Sequence, residues 1–370
     1  MQNQHEHHAL KNKHIVIMAG GTGGHIFPAL AVADALVKQG ATVSWLGTSY
    51  GLEKKLVENR FPLDFLRIKG VRKKGLFKKL FMPFSLCGAI LQAMWFLKKR
   101  KTKIVLGFGG YASGPGGLAA KILFIPLIIH EQNAKPGMTN KALAKFANQV
   151  LCAFPVKGFS RSKKVQVIGN PIRDEIRALH DKDHDFYKHM LNVLVLGGSQ
   201  GAQRLNQALP MVLKNLPTGG QVNIWHQSGQ GDYEATLMRY QEQGLDAHTV
   251  VKVTPFIDNM AEAYAWADIV VCRAGASTVS EVAAAGIPAF FVPFPHAVDD
   301  HQYHNAQFLV QAEAAVCIRE SYFNAEKLAA FIRAMDLNRQ RLVEMSSHGK
   351  GVAHLAATEH VVSWVNHLIK

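Results

Sequence analysis

Short apolar runs alternate with longer amphipathic stretches along the first half of the chain. The run HIVIMA (residues 14–19) stops at Gly20 and Gly21, and PALAVADALVKQG then has the spacing of a helix that ends at Gly40. The runs VSWLG, IVLGFGG and PLIIH continue the alternation, with the helix-forming segment GGLAAKIL before the last of them. Near-continuous apolar strands separated by helices are typical of a parallel sheet covered on both faces. The first half is therefore predicted to be a parallel α/β domain.

The same pattern starts again near residue 192. NVLVLGGSQGAQRLNQAL has the layout of HIVIMAGGTGGHIFPALAVADAL, and VNIWH, VVKVTPF, DIVVC and AFFVP follow it. A chain of 370 residues also exceeds what one core usually supports. GNPIRDE, residues 169–175, has the proline and polar cluster of a domain joint. We expect a flexible lead-in at 1–13, domains at 14–168 and 176–350 joined by a hinge at 169–175, and a terminal helix at 351–370 that caps the second sheet or crosses back to the first domain.

The distribution of charge along the chain indicates what kind of partner the first half binds. The formal net charge is +15, and residues 1–150 hold 22 Lys and Arg against 6 Asp and Glu. Between Asp64 and Glu131 there are 13 basic residues and no acidic one. Such a region indicates a polyanion or an anionic membrane surface. Because the basic residues interleave a long apolar run instead of base-stacking aromatic residues, we predict a membrane and no nucleic acid.

The apolar run Leu80–Leu97 predicts whether the chain spans the membrane or lies on its surface. Leu80–Leu97 has 18 residues, short of the ~20 that usually span a bilayer, and it contains Pro83, Ser85, Gly88 and Gln92. The run is bracketed by Lys78, Lys79, Lys98, Lys99, Arg100 and Lys101, and one helical face combines Phe84, Cys87, Leu91, Met94 and Trp95. We therefore expect residues 72–103 to form a surface patch with a helix lying in the membrane interface. The alternative is a buried helix with solvated basic ends.

Cysteine usage and the first residues point to the cytosol. Four widely spaced cysteines, none in a CxxC pair, indicate neither a disulfide framework nor a zinc ribbon: Cys87, Cys152, Cys272 and Cys317. The first thirteen residues lack the apolar segment of a secretory signal.

Four strand-to-loop junctions are rich in glycine: GGTGGH (20–25), GFGGYASGP (107–115), GGSQGA (197–202) and CRAGASTVSE (272–281). Glycine lets backbone N–H groups approach an anion, and the following helix adds its positive end, so these junctions predict phosphate or pyrophosphate sites. A dinucleotide fingerprint is excluded, because the third glycine of GxGxxG is missing after Gly21 and the second strand ends VSWLGT without a carboxylate. The P-loop, HExxH and GxSxG motifs are also absent.

Long strings of the chain closely resemble the MurG family of bacterial transferases, from about residue 14 to 365. They are MAGGTGGHIFPALAVA, WLGT, GFGGYASGPGGLAA, HEQNAKPGMTNK, GNPIR, LGGSQGA, WHQSG, FIDNMAEAYAWADIVVCRAGASTVSE and HQYHNA. The resemblance implies a GT-B fold of two Rossmann-like parallel-sheet domains facing across a cleft, with the lipid acceptor on the first and UDP-N-acetylglucosamine (UDP-GlcNAc) on the second.

The resemblance also implies an inverting transferase of peptidoglycan synthesis, peripheral at the cytoplasmic face of the inner membrane. Such an enzyme moves N-acetylglucosamine from UDP-GlcNAc to the 4-hydroxyl of N-acetylmuramoyl-pentapeptide on undecaprenyl pyrophosphate, converting lipid I to lipid II. Another GT-B transferase acting on a lipid such as diacylglycerol is the alternative, and HEQN and HQYHNA argue against it.

The family's donor contacts are carried over to matching positions. The resemblance implies that Glu281 binds the ribose hydroxyls and that the backbone of Ile257 binds the uracil. It also implies that residues 276–280, at the start of a predicted helix, bind the pyrophosphate. The predicted UDP-GlcNAc contacts are Thr22, Gly23, Gly24, Asn133, Arg173, Ser199, Ile257, Ala276, Ser277, Thr278, Val279, Ser280, Glu281 and Gln302. Some relatives carry Leu at the position of Ser277. Simpler roles stay open: Glu281 beside the helix dipole, Ser277 and Thr278 as N-caps, Asn133 in a turn and Arg173 on the surface.

Inversion at the sugar requires a base that removes the acceptor proton while UDP leaves from the opposite face. His25 is the first candidate, since the ordinary pKa of histidine, roughly 6.5, suits proton transfer near neutrality. The alternatives for His25 are capping of the helix or a bond to the acceptor pyrophosphate, and Glu131 in HEQN is the competing base. No cofactor or metal is predicted, because Asp299 and Asp300 are adjacent and lack DxD spacing.

Overall fold

The computed structural model describes residues 9–68, 82–156, 158–159, 164–188, 190–198, 201–214, 216, 222–244 and 251–369. It divides the chain into two compact units. The first unit contains the described residues through Arg173 together with those from His354 onward, and the second contains those from Asp174 to Ala353. Both units are parallel α/β structures, as predicted.

The first unit is built on a sheet of seven parallel strands. They are β1 (His14–Ala19), β2 (Thr42–Gly47), β3 (Leu63–Phe65), β4 (Ile104–Gly109), β5 (Leu127–Glu131), β6 (Gln149–Cys152) and β7 (Val165–Val167), in the order β3-β2-β1-β4-β5-β6-β7. Its described helices are α1 (Gly23–Lys38), α2 (Glu53–Val57), α3 (Met82–Lys99), α4 (Ser113–Ile122), α5 (Met138–Leu143) and α14 (Ala357–Ile369). The strand order reverses between β1 and β4, where ligands of doubly wound sheets bind beyond the carboxyl ends.

Successive residues of β1 point to opposite faces of this sheet, so each face has its own core. Ile15 and Ile17 belong to the cluster covered by α1 and α14, whereas Val16 and Met18 belong to the cluster covered by α3, α4 and α5. The terminal helix contributes Val361, Val362 and Val365 to the first of these clusters.

The second unit has six parallel strands in the order β10-β9-β8-β11-β12-β13. They are β8 (Leu191–Leu196), β9 (Val222–Gln227), β10 (Val251–Thr254), β11 (Ile269–Cys272), β12 (Ala289–Phe291) and β13 (Ala315–Cys317). The described helices are α6 (Asp174–Arg177), α7 (Gln203–Lys214), α8 (Tyr233–Glu242), α9 (Met260–Trp266), α10 (Ala276–Ala285), α11 (His301–Gln311), α12 (Ala325–Leu337) and α13 (Arg339–Gly351). The sheet again reverses its order at its first strand, β8, next to β11.

Helix α1 starts earlier than the sequence pattern predicts. It begins at Gly23, and Pro28 lies inside it, because the amides of His25 and Ile26 already bond the Thr22 carbonyl. Strands β3, β6, β7 and β13, each of three or four residues, were not predicted.

A buried polar network lies beneath the carboxyl end of β9. The ring of His226 bonds Asn206 Oδ1 through Nε2 and the Tyr240 hydroxyl through Nδ1, each at 3.0 Å. Asn206 Nδ2 in turn donates to the Ser228 carbonyl and to Asp232. Burial lowers the pKa of His226 to about 3, so the ring is neutral at physiological pH.

We predict that His226 makes the stability of the second unit depend on pH. Between the ordinary pKa of 6.5 and the folded value of about 3, the unfolded chain binds a proton that the folded chain excludes. The free energy of unfolding therefore falls as the pH falls, by about 2 kcal/mol from pH 7 to pH 5 for this group. Urea unfolding at both pH values should show this loss in the wild type, and the free energy of unfolding of His226→Gln should fall by about 2 kcal/mol less than that of the wild type over the same pH range.

The exposed His348 of the same unit provides the control. His348→Gln should keep the pH dependence of the wild type. An unchanged pH dependence in His226→Gln would contradict the prediction.

Candidate active site

Two loops of the first unit meet at the point where its strand order reverses. Gly20–His25 follows β1, and Gly110 follows β4 with a φ of +90°. A Cβ on Gly110 would lie 2.6 Å from the Gly20 carbonyl oxygen, so only glycine allows this approach. The contact places the start of α1 at the carboxyl edge of the sheet.

His25 lies in the first turn of α1. Its Nδ1 is 2.9 Å from Oε1 of Gln132, and its ring rests over Gly109, where a Cβ would come within 3.0 Å of Cε1. The ring therefore bonds a neighbouring loop instead of capping α1. Thr22, the N-cap residue, also makes no side-chain cap bond. The first amides of α1, those of Gly23 and Gly24 included, lie at the positive end of the helix, where an anion is stabilised.

Glu131 is buried at the end of β5 and is fully engaged by its own loop. Its Oε1 accepts from the backbone N–H of Asn133 at 3.0 Å and from the Asn133 amide at 3.3 Å. Its Oε2 accepts from the Gly137 N–H at 3.0 Å and from the Asn140 amide at 2.9 Å. Four donors hold the carboxylate as an anchor of this loop, which disfavours proton abstraction by Glu131. Asn133, a predicted UDP-GlcNAc contact, is a member of that anchor.

Arg173 ends the first unit beside α1. Its guanidinium carbon lies 5.3 Å from the centre of the Phe27 ring, a cation–π distance. The Arg173 side chain thereby packs against α1, the helix that contains His25.

In the second unit, the motif CRAGASTVSE forms the end of β11 and the start of α10. Gly275 is the N-cap residue with no side-chain cap bond, and its carbonyl accepts from the Val279 N–H at 2.9 Å. The predicted pyrophosphate contacts Ala276, Ser277, Thr278, Val279 and Ser280 form the first turn and a half of this helix. Ser277 Oγ is buried without a hydrogen-bond partner among the described residues. The arrangement suits a phosphate group, whose oxygens can accept hydrogen bonds from these N–H groups.

The far end of α10 is also held. His180 Nδ1 lies 3.2 Å from the Ala284 carbonyl and His184 Nε2 3.0 Å from the Ala285 carbonyl. Two rings thus satisfy carbonyl groups at the C-terminus of α10, which have no partner within the helix.

Glu281 is buried on α10 and is oriented by a residue from another helix. The Tyr264 hydroxyl, on α9, donates to Oε2 of Glu281 at 3.1 Å. Ile257, also buried, lies in the loop between β10 and α9. Ile257, the predicted uracil contact, precedes α9, and Glu281, the predicted ribose contact, is hydrogen-bonded by Tyr264 on the same helix. Tyr264 was missed by sequence reasoning, because an aromatic residue in a short helix resembles any core residue.

Gln302 lies at the start of α11, and its Oε1 accepts from the Phe294 N–H at 2.9 Å. The loop containing Phe294 is held by Arg273, whose Nη1 donates to the carbonyls of Val292 at 3.0 Å and Pro293 at 3.3 Å. Arg273, also unpredicted, fixes the loop that orients Gln302.

The glycine loop after β8 packs against the end of β9. Gly201 has a φ of +77°, and a Cβ there would overlap the Ser228 carbonyl oxygen. Ser199, a predicted UDP contact, lies outside the described residues.

Helix α3 carries the predicted membrane face. Ala89, Ala93 and Leu97 are buried against the sheet, while Phe84, Leu91 and Trp95 are 76%, 66% and 55% exposed. These three outward residues form one helical stripe, which excludes the alternative of a fully buried helix.

One member of the predicted apolar face of α3, Met94, differs in the structure, whereas Gln92 lies off that face as predicted. Met94 packs inward, and Gln92 bonds the Phe65 carbonyl and the Arg67 N–H, each at 3.0 Å, because the helix is turned to bury its alanines. Lys78 and Lys79 lie outside the described residues. No described helix is both long and apolar enough to cross a bilayer.

Helix α4 packs beside α3 and ends next to another exposed aromatic residue. Phe124 is 91% exposed and has a φ of +57°, a conformation that costs energy for a bulky side chain. Both helices run antiparallel to the strands, so Phe124 lies at the same edge of the sheet as Lys98 and Lys99.

The site residues thus form one set in each unit. The first unit brings together Thr22, Gly23, Gly24, His25, Glu131, Asn133 and Arg173, and the second brings together Ile257, Ala276 to Glu281 and Gln302. Two Rossmann-like parallel-sheet units, each with a glycine-rich loop before a helix at the carboxyl edge of its sheet, are the architecture of GT-B glycosyltransferases.

Comparison with known proteins agrees with this class. Residues 15–152 match the glycosyltransferase family 28 N-terminal domain and residues 192–360 match the family 28 C-terminal domain. The chain therefore belongs to glycosyltransferase family 28.

Its relatives share most of its length. A Shewanella sediminis protein named UDP-N-acetylglucosamine–N-acetylmuramyl-(pentapeptide) pyrophosphoryl-undecaprenol N-acetylglucosamine transferase is 48% identical over 95% of this chain and 96% of its own. A Shewanella oneidensis protein of the same name is 49% identical over 94% of this chain and 96% of its own. The crystal structure of Acinetobacter baumannii MurG has a TM-score of 0.80 at 43% identity, covering 96% of this chain and 99% of that one.

Proposed function

We propose that this enzyme transfers N-acetylglucosamine from UDP-GlcNAc to N-acetylmuramoyl-pentapeptide on undecaprenyl pyrophosphate. The start of α10 carries the proposal. Its first backbone N–H groups have no side-chain cap and suit a pyrophosphate, and the buried Glu281 further along the helix is oriented by Tyr264 to accept hydrogen bonds from a ribose. Relatives close to half identical over nearly the whole chain are named for this reaction. The second unit binds the donor, and the first binds the acceptor.

The donor is held by groups that match its parts. The amides of Ala276, Ser277 and Thr278 receive the pyrophosphate, supported by the positive end of α10. Glu281 accepts from the ribose hydroxyls, while the backbone of Ile257 bonds the uracil. Gln302 contacts the sugar from α11.

The acceptor hydroxyl loses its proton to His25. The base takes the proton of the 4-hydroxyl as that oxygen attacks C1 of the donor sugar, and the bond from C1 to the phosphate oxygen breaks with its electron pair leaving on UDP. Attack opposite the leaving group converts the α-linked donor into a β-linked product. His25 is favoured over Glu131, since the carboxylate is already occupied by four donors.

The departing UDP gains negative charge as the C1–O bond breaks. Fixed amides at the start of α10 stabilise this charge without reorganising, which is the general basis of electrostatic catalysis. The held C-terminus of α10 keeps those amides in place.

A membrane-bound acceptor requires the enzyme to reach the lipid surface. We propose that the stripe of Phe84, Leu91 and Trp95 enters the interface on the cytoplasmic face of the inner membrane, with Lys98 and Lys99 on anionic headgroups. Lys99 Nζ lies 4.6 Å from the centre of the Trp95 ring, so apolar and basic groups are contiguous. The exposed, strained Phe124 at the same edge of the sheet supports this assignment.

We predict that the enzyme releases UDP from UDP-GlcNAc only when the lipid-linked muramoyl acceptor is present. His25→Ala should lower kcat by ~10²-fold or more, because loss of a general base acts on the transition state. The KM for UDP-GlcNAc should change little. His14→Ala, at the opposite end of β1, is the control and should keep wild-type kcat.

Absence of acceptor-dependent UDP release in the wild type would refute the proposed reaction. A His25→Ala variant with wild-type kcat would remove His25 as the base.

A second prediction concerns Tyr264. Tyr264→Phe removes the hydroxyl that orients Glu281, so affinity for UDP should fall roughly threefold to tenfold. The preference for UDP over 2′-deoxy-UDP should shrink with it. Calorimetric titration of both nucleotides measures this preference.

Tyr240→Phe is the matched control, because it also deletes a buried, hydrogen-bonded hydroxyl in the second unit. It should keep the preference. Equal discrimination by Tyr264→Phe and the wild type would show that Tyr264 does not orient the ribose contact.

A third prediction tests the membrane surface. Reversing Lys98 and Lys99 to Glu should greatly reduce sedimentation with anionic vesicles at low salt, since each basic residue near the surface contributes ~1 kcal/mol. Reversing Lys54 and Lys55, exposed lysines on α2, makes the same charge change on the other face of the sheet and should have a much smaller effect. An equal loss of vesicle binding in both variants would show that net charge alone, and not the position of Lys98 and Lys99, controls binding.

A further inference from the structure

We propose that a relay of hydrogen bonds from the Gly169 carbonyl through His130 and Gln132 fixes the tautomer of His25, so that its Nε2 carries the lone pair. Gln132 and His130 are positioning residues in this proposal. The direction of the relay follows from the structure, and its catalytic use rests on the proposed function.

The relay starts at a group that can only accept. His130 Nε2 lies 3.0 Å from the Gly169 carbonyl oxygen, so Nε2 must carry the hydrogen. His130, on β5, and Gly169 are both buried. The ring therefore has no competing solvent partner at this nitrogen.

Neutrality of His130 fixes its other nitrogen. Burial lowers the pKa of His130 to about 4, so the ring has one hydrogen near neutral pH. With that hydrogen on Nε2, Nδ1 is an acceptor. It lies 3.1 Å from Gln132 Nε2, which donates to it.

A second bond fixes the same orientation of the Gln132 amide. Gln132 Nε2 also donates to the His130 carbonyl at 3.3 Å, and a carbonyl only accepts. Both hydrogens of the amide nitrogen are thus used within the loop. The amide oxygen, Oε1, is left facing His25.

An amide oxygen cannot donate, so the bond between Gln132 Oε1 and His25 Nδ1 requires the hydrogen on Nδ1. In a neutral imidazole this leaves the lone pair on Nε2, the nitrogen directed away from Gln132. The backbone carbonyl of Gly169 therefore determines, through two side chains, which nitrogen of His25 accepts a proton. The same oxygen of Gln132 stabilises the imidazolium that forms when the proton arrives.

The arrangement follows the logic of a catalytic triad with a neutral orienting group. A carboxylate in the place of Gln132 would also accept from Nδ1, but it would face the lone pair of His130 Nδ1 instead of donating to it. Glutamine is the residue that satisfies both histidines.

Nitrogen-15 NMR of the imidazole rings tests the relay, at a pH above the ordinary pKa of histidine so that the rings are neutral. Signals are assigned by single substitution of each histidine. We expect His25 to be protonated on Nδ1 and His130 on Nε2 in the wild-type protein. A His25 ring protonated on Nε2 would overturn the proposal without any variant.

Two variants separate hydrogen bonding from packing. Gln132→Met keeps the length of the side chain but accepts no strong hydrogen bond, so His25 should shift toward the Nε2–H tautomer that free histidine prefers. Gln132→Glu still accepts from Nδ1 and should keep the Nδ1–H tautomer of His25. Retention of the Nδ1–H tautomer in Gln132→Met would overturn the relay.

Kinetics then tests its use in catalysis. Gln132→Met should lower kcat about tenfold or more with the KM for UDP-GlcNAc unchanged, because the base is misoriented and the donor contacts are intact. Gln149→Met is the matched control: Gln149 is buried in the same sheet, and its Nε2 has no hydrogen-bond partner among the described residues. It should keep the wild-type tautomer and kcat.

The two proposals fail separately. A wild-type protein with the expected ring assignments and no transfer activity would refute the proposed reaction and support the relay. A wild-type kcat in a Gln132→Met variant whose His25 tautomer has changed would overturn the catalytic role of the relay.

Discussion

Close packing of backbone on backbone at the carboxyl ends of the parallel strands is the constraint that shapes the glycine loop after the first strand of each unit. Gly110 lies against the Gly20 carbonyl in the first unit, and Gly201 lies against the Ser228 carbonyl in the second. A side chain at either position would separate the two loops. Because the loops stay in contact, α1 in the first unit and α7 in the second begin at the carboxyl edge of their sheets.

The two units use this common construction for different chemistry. In the second unit the start of α10 is combined with a buried carboxylate, Glu281, held by Tyr264, an arrangement that suits a nucleotide diphosphate with free ribose hydroxyls. In the first unit the helix start is combined with an imidazole held by Gln132, which suits proton removal from an acceptor hydroxyl. Glu131, the other candidate base, instead anchors the loop that supplies Gln132.

The sequence predicts the central strands and the glycine loops well, since both leave local patterns. It cannot show contacts between residues far apart in the chain, such as His25 with Gln132, which are 107 residues apart. Short edge strands such as β13 have no readable period. The inward side of α3 was only partly predicted, because burial of Ala89 and Ala93 rotates Met94 toward the core, and small residues carry little weight in a hydrophobic pattern.

The proposed reaction is a single displacement, in which one base on the first unit removes the acceptor proton while UDP leaves from the opposite face of the sugar. The most direct measurement is the anomeric configuration of the newly formed glycosidic bond, determined by proton NMR of the disaccharide released from the lipid product. A β-linked N-acetylglucosamine, recognised by the large coupling between its axial H1 and H2, is the predicted result. An α-linked product would contradict the mechanism, because retention requires either two displacements or attack from the same face as the leaving group.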